Sequence, residues 1–261
     1  MYNINCEFGF FILTIIPLLQ EYFKKYNTPV TIQTNTFFLE ILNKYFGKDL
    51  IIGFNCKDSI NPRRSQLYNT STSIMNLFVT NSIISKDYSI GMVLPYKIDH
   101  KIYTNGNINN KNIICIFPSV REGWTKQHRL FSENFYNYLI KNIESNTKYS
   151  VKILGRYEIY KNLHAEYVEN LDDQITCLNN CKYLISPHSG YIDFGICCDI
   201  DNAIVLWKPF GKACSGKDSH LNPTDHYKHI LKNDINKVNI YEIINSNDEN
   251  VILKNILSII N

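Results

Sequence analysis

Ser186-Pro187-His188-Ser189-Gly190 follows the apolar run Tyr183-Leu184-Ile185 and precedes an apolar helical pattern. A Ser-Gly turn that opens a helix turns backbone N–H groups outward with a partial positive charge, which suits a phosphate or diphosphate. The Ser189 hydroxyl and the His188 ring could add hydrogen bonds. Equally, the run is a tight strand-to-helix turn in which Ser189 only caps the helix. A second loop, Pro118 to Lys126, follows Ile113-Ile114-Cys115-Ile116-Phe117 and carries Ser119, Arg121 and Lys126 around Gly123. Its two cations could neutralise a phosphate, or they could face only water. Gly155-Arg156 ends Val151-Lys152-Ile153-Leu154, where a glycine allows close approach of a ligand or makes an ordinary turn. Cys6-Glu7-Phe8-Gly9 follows the first apolar segment, and Glu7 is its one ionisable group. That carboxylate could act as a general base, or it could sit at a helix start for dipole reasons alone.

Other features carry less. His226 and His229 stand three apart without a third ligand at matching spacing, and Cys177 and Cys181 read as one packed helical face. Arg63-Arg64 meets an anion or water. No Asp-x-Asp run, Gly-x-Ser-x-Gly elbow or phosphate-binding P-loop is present. No metal and no cofactor is expected.

The elements that position these loops alternate. Tyr2 to Cys6 predicts a short strand, Glu7-Phe8-Gly9 a glycine-containing bend, and the residues after it a long helical pattern through Tyr26, with Pro29 marking the break. Val30–Gln33 predicts a strand, Phe37–Phe46 a helix stopped by Gly47, and Leu50–Phe54 a strand. Ile74–Ile84 predicts a helix and Ser89–Leu94 a strand. Residues 99–112 are polar and Asn-rich, include Asn105-Gly106, and read as a linker or exposed loop. Beyond them Asn112–Phe117 predicts a strand, Phe131–Ile143 a helix and Ser150–Leu154 a strand. Asp172–Cys181 follows as a helix, Tyr183–Ile185 as a strand, Ile192–Cys198 as a helix and Ala203–Trp207 as a strand. Ile240–Ile260 predicts terminal helical material. Strand–helix alternation predicts an α/β protein with a mainly parallel sheet, in two units, residues 1–105 and 106–261. In open sheets of this type, ligands bind beyond the carboxyl ends of the strands, where three of the four loops above would meet.

Composition bounds the partners. The chain has 261 residues, 44% hydrophobic and 20% charged, which excludes wholesale disorder. Lys and Arg total 27 against 24 Asp and Glu, too thin a basic surplus for a dedicated nucleic-acid binder. Residues 1–105 hold ten basic and seven acidic side chains, which allows peripheral membrane contact from that half. Eight cysteines form no Cys-x-x-Cys pair, and most lie in apolar runs, as expected in a reducing compartment. The apolar stretch Phe8–Leu19 is interrupted by Gly9, Thr14 and Pro17, and a membrane span needs roughly 20 residues. A cytoplasmic protein is expected.

Taken in order, the motifs resemble heptosyltransferase-like glycosyltransferases with two Rossmann-like domains facing a cleft, the GT-B type. IFPSVREGWTKQHRLFSENFYNYLI resembles the family's strand, loop and helix, with Lys126 at the position of the family's lysine. VKILG and Leu171-Asp172-Asp173 follow, and YLISPHSGYIDFG with AIVLWKPFG resembles the stretch where the family has Asp-Ser/Thr-Gly and a closing Phe-Gly. His188 stands in place of that acidic residue. ILTIIPLLQEYFKKY resembles the first helix, and the family's acidic residue before it aligns nearer Phe11 than Glu7. The resemblance implies that residues 106–261 bind a nucleotide-sugar donor through Ser119, Arg121, Lys126, Gly155, Arg156, Ser189 and Gly190. Residues 1–105 would take the glycan or other hydroxyl acceptor, with Glu7 and His188 as catalytic candidates. It implies metal-independent sugar transfer from a nucleoside-diphosphate donor. An epimerase or hydrolase of the same fold, or a degenerate module that binds nucleotide sugars without catalysis, are the alternatives.

Overall fold

The structure is a computed structural model, and it describes residues 1–4, 6, 8–55, 72–84, 111–118, 131–155, 160–198, 200–207, 238–244 and 248–261. The chain divides into two compact units, Met1–Ile98 and Asp99–Asn261.

In the first unit, strands β1 (Tyr2–Asn3), β2 (Val30–Thr34) and β3 (Ile51–Asn55) form a parallel sheet in that order. Helical structure begins at α1 (Phe8–Phe10), widens to a π-helix over Phe11–Ile15 and continues as α2 (Ile16–Tyr26). Pro17 lies in the first turn of α2, where its missing N–H costs nothing, and Asn27 ends the helix in the left-handed conformation. Helix α3 (Thr36–Phe46) is capped by the Asn35 side chain, which accepts from Phe38 N at 2.8 Å. It stops at Gly47, with φ +81°, as its sequence predicts. Helix α4 (Thr72–Thr80) follows. Ile4, Ile15, Leu19, Ile32 and Ile41 are buried, and Phe11 stacks on Phe38 at 4.0 Å. The buried Thr34 hydroxyl donates to the Ile4 carbonyl and ties β2 to the end of β1.

The second unit is a six-stranded parallel sheet. Its elements are β4 (Ile113–Ile116), α5 (Glu133–Asn146), β5 (Ser150–Leu154), β6 (Glu166–Val168), α6 (Leu171–Asn179), β7 (Cys181–Pro187), α7 (Gly190–Cys197), β8 (Asn202–Trp207), β9 (Asn239–Ile244) and α8 (Glu249–Ile260). Strand order is β6-β5-β4-β7-β8-β9, the doubly wound arrangement in which the chain reverses direction on either side of its first strand. The pleat sends alternate side chains to opposite faces. Ile114, Ile116, Ile185, Ile204 and Leu206 join Tyr136, Leu139, Ile252 and Ile256 of α5 and α8 in one core. On the opposite face Leu184 packs against Gly195 of α7.

Three expectations need correction. The terminal segment is not helical throughout: β9 pairs with β8 from Asn239 to Ile244 before Asp248 caps α8. Its isoleucines satisfy either period, and the ladder offered by the edge of β8 decides for a strand. Cys181 is not on a helical face with Cys177, because α6 ends at Asn179 and Cys181 pairs with Ile113 in β7. Ser186 and Pro187 belong to β7 rather than to the loop after it, since they pair with Val205 and Leu206. Strand β6 has no counterpart among the predicted elements. The strand expected at Ser89–Leu94 lies outside the described residues.

Candidate functional site

A doubly wound sheet separates its loops most where the winding reverses, which here is between β4 and β7. Doubly wound sheets generally bind their ligands at such a switch point. Of the residues singled out from sequence, Gly155, His188, Ser189 and Gly190 lie at the carboxyl edge of this sheet. Glu7, Ser119, Arg121, Lys126 and Arg156 lie outside the described residues.

Helix α7 starts at Gly190 with Ser189 as its N-cap, and the serine hydroxyl accepts from Tyr191 N at 3.4 Å. That is the capping role, though at 3.4 Å it is a long bond. The Ser189 hydroxyl also lies 3.2 Å from that of Ser186, which is fully buried and donates to the Pro187 carbonyl at 2.8 Å. The His188 peptide N–H donates to Leu206 O at 2.9 Å, so the turn is fastened to β8 before the helix begins. The imidazole is half-buried. Asp193 is buried within the first turn of α7, and its charge adds to burial in pushing the Cys197 thiol pKa up. The helix start therefore already holds one carboxylate, and a bound diphosphate needs cations besides the helix dipole.

Sequence reasoning missed an aromatic floor. Phe117, which follows β4, stacks face to face on Tyr191, with ring centroids 3.4 Å apart and planes 10° apart. The Tyr191 hydroxyl lies 3.4 Å from Oε1 of buried Gln174, whose amide donates to Glu169 O at 2.9 Å. Gly155 has φ +105°, and a Cβ there would collide with the Phe117 ring. Its glycine is thus required twice, once by the backbone and once by the ring. The position of Phe117 as the last apolar residue of its strand, opposite a glycine-ended strand, was the available signal.

Two tyrosines hold the described ends flanking residues 119–130. The Tyr160 hydroxyl donates to Phe131 O at 2.8 Å, and the fully buried Tyr136 hydroxyl donates to Pro118 O at 3.4 Å. Burial pushes both phenol pKa values well above the ordinary value, so both remain donors. At the opposite edge of the sheet, Lys111 and Lys182 grip Asp201 at 2.6 and 2.8 Å.

No disulfide joins the described cysteines, and burial pushes the Cys115 thiol well up. That fits packing rather than reactivity. Among the described residues no group of three His, Cys, Asp or Glu side chains could hold a metal ion. None of their helices is long and apolar enough to cross a membrane.

No family model matches this sequence, and no curated protein is detectably similar to it. Solved structures are similar over the whole chain. Escherichia coli ADP-heptose lipopolysaccharide heptosyltransferase II superposes with a TM-score of 0.55 at 11% identity, covering 99% of this chain and 97% of that one. E. coli heptosyltransferase WaaC with ADP gives 0.53 at 9% identity over 100% and 99%. A glycosyl transferase family 9 structure from Veillonella parvula gives 0.55 at 10% identity over 99% and 96%. The fold is GT-B. Within the GT-B fold the six-stranded unit described above is the C-terminal one, and Gly155, His188, Ser189 and Gly190 lie at its carboxyl edge.

Proposed function

We propose that this GT-B chain is a glycosyltransferase that moves a sugar from a nucleoside-diphosphate donor to a hydroxyl of a glycan or other acceptor. The observation that carries the reading is the gathering of Gly155, His188, Ser189 and Gly190 at the winding reversal of the six-stranded sheet. Likeness along the whole chain to heptosyltransferases, one of them solved with ADP, supports it.

In this reading the donor diphosphate lies at the start of α7, against Ser189 and the Gly190 N–H. Ser119, Arg121, Lys126 and Arg156 hold its oxygens, and Gly155 leaves room for the approach. The acceptor oxygen attacks the anomeric carbon, and the bond from that carbon to the phosphate oxygen breaks. The nucleoside diphosphate leaves with the bonding electrons. The acceptor proton passes to a base, Glu7 in this assignment, while His188 hydrogen-bonds the reacting groups. Cations aimed at the leaving phosphate stabilise the charge that grows there, the task a metal ion performs in other transferases. Residues 1–105 serve the acceptor, 106–261 serve the donor, and the enzyme works in the cytoplasm. Contact with a membrane surface runs through the more basic N-terminal half.

Melting the protein with UDP, GDP, ADP, CMP and dTDP sugars, with and without chelator, tests this. A ligand that binds only the native state raises the melting temperature by mass action. One nucleotide should give a selective rise that the chelator leaves unchanged, and Lys126→Ala should abolish it together with transfer. Full transfer by Lys126→Ala overturns the donor assignment. One observation favours a second reading, a binding module without catalysis: His188, rather than an acid, precedes the Ser-Gly turn, and Asp193 already places a carboxylate in the same helix turn. Binding without consumption of donor, in the presence of any acceptor offered, selects that reading. Consumption without acceptor selects a hydrolase or epimerase.

A further inference from the structure

We propose that the indole N–H of Trp207 is a specificity-determining donor that binds a phosphate oxygen of the nucleoside-diphosphate ligand. The inference deepens the reading above and rests on it. Trp207 ends β8, the strand beside β7. Its Nε1 is buried, yet it donates to no acceptor among the described residues. A buried N–H without a partner is costly, and native proteins keep few of them. Its neighbours along β8 show how little this resembles ordinary packing. Asn202, at the other end of the same strand, both donates to Lys182 O at 2.8 Å and accepts from Asn239 at 3.0 Å.

The placement follows from register. Leu206 pairs with Pro187, so Trp207 lies level with His188, whose N–H donates to the Leu206 carbonyl. Leu206 belongs to the core under α5 and α8, so strand alternation puts Trp207 on the opposite face. That is the face on which Leu184 meets Gly195 of α7 and on which Ser186 approaches Ser189. Trp207 therefore shares both the edge and the face of the α7 start. An indole N–H can only donate. The group it would meet must be an acceptor, and the acceptor chemistry proposed for this edge is phosphate oxygen.

The test uses the whole chain with ADP, UDP, GDP and inorganic pyrophosphate as probes. The sequence has two tryptophans, so a nitrogen–proton correlation spectrum gives two indole signals, and Trp124→Phe leaves the one from Trp207. With a probe that binds, this signal should move downfield, as N–H protons do on entering a hydrogen bond. Trp207→Phe removes the donor together with the five-membered ring of the indole, so the free protein should melt lower than wild type by the cost of the lost packing. Its affinity for the same probe should fall about 10-fold, the size of one lost hydrogen bond to a charged acceptor. Binding with an unmoved Trp207 signal and unchanged Trp207→Phe affinity overturns this inference and leaves the proposed function standing. A response to nucleotide sugars but to none of the four probes overturns the assignment to phosphate. If no probe and no nucleotide sugar binds the wild type, the proposed function falls and the inference with it. Should Trp207→Phe misfold, the indole signal in Trp124→Phe decides alone.

Discussion

The two units use the same strand–helix grammar with different results. The first has three described strands, the shortest of two residues, and leaves Ile52 and Phe54 of β3 about half exposed. Its helical start widens into a π-helix, and aromatic contacts such as Phe11 on Phe38 fill its core. The second has six strands with helices on both faces, and its described candidates, Gly155, His188, Ser189 and Gly190, stand just at or beyond strand ends fixed by several hydrogen bonds. Glu7, the candidate base of the first unit, lies outside the described residues. Precise placement of a reacting group needs a frame that resists displacement. The second unit has that frame at its winding reversal, and donor binding is the part of the proposed reaction that needs it most.

The largest expected difference comes from two glycines. Gly47 and Gly155 both have positive φ, at +81° and +105°. A Cβ on Gly47 meets nothing within 4 Å, whereas one on Gly155 collides with the Phe117 ring. Gly47→Ala should therefore cost backbone strain alone, about 1–3 kcal/mol. Gly155→Ala adds overpacking and should cost about 3–5 kcal/mol in urea unfolding. It should also weaken diphosphate binding in whatever fraction remains folded, because Phe117 must leave Tyr191. Equal costs for the two would mean that Gly155 is no more than a turn, and the aromatic floor would lose its rationale.

Helix caps give a smaller contrast. Asn35 caps α3 through one bond, and replacing it with Ala should cost about 1 kcal/mol. Ser132 caps α5 by accepting from Phe135 N at 3.1 Å and also donates its hydroxyl to Glu249 at 2.7 Å. Ser132→Ala breaks both and should cost about 2 kcal/mol, since a bond to a charged group is lost as well. A cycle with Glu249→Gln separates the two contributions. If Ser132→Ala and Asn35→Ala cost the same, the bond from the Ser132 hydroxyl to Glu249 contributes nothing, and the Ser132 N–H bond to the same carboxylate is what ties α5 to α8.

Local signals made much of this fold legible in advance. Gly47 after an apolar helix, Pro29 before an alternating run and the compact IICIF and VKIL runs all marked boundaries that the backbone respects. The errors fell where one pattern served two periods. NIYEII could belong to a helix, and only the free ladder of β8 made it a strand. Ser186 and Pro187 look like turn residues, yet pairing with Val205 and Leu206 extends β7 through them. The candidate loops were found because polar residues after apolar runs are visible one loop at a time. The stack of Phe117 on Tyr191 joins residues 74 positions apart, and the burial of the Trp207 Nε1 without an acceptor among the described residues depends on its whole surroundings. Neither leaves a mark in local sequence.

The smallest predicted effect concerns charge. Burial alone would raise the Asp201 carboxyl pKa, but hydrogen bonds from Lys111 and Lys182 outweigh it and hold the group below its ordinary value. A carboxyl whose folded pKa is lowered contributes stability above its unfolded value, about 4, and loses it as pH falls through the folded value. Unfolding of the second unit should therefore become easier below about pH 4, and Asp201→Asn should flatten that part of the profile. The first unit offers the control. Lys24 and Glu21 pair at 3.0 Å with both side chains largely in solvent, and such pairs contribute about 0–1 kcal/mol. Glu21→Gln should leave the acid limb unchanged. Asp201 differs because one carboxylate joins two lysines, Lys111 just before β4 and Lys182 in β7, at the amino edge of the two strands whose carboxyl ends flank the candidate site. Loosening that edge should lower stability without changing diphosphate affinity at neutral pH. A change in affinity for Asp201→Asn would mean that the two edges of the sheet are mechanically coupled, and the separation between frame and site drawn above would fail.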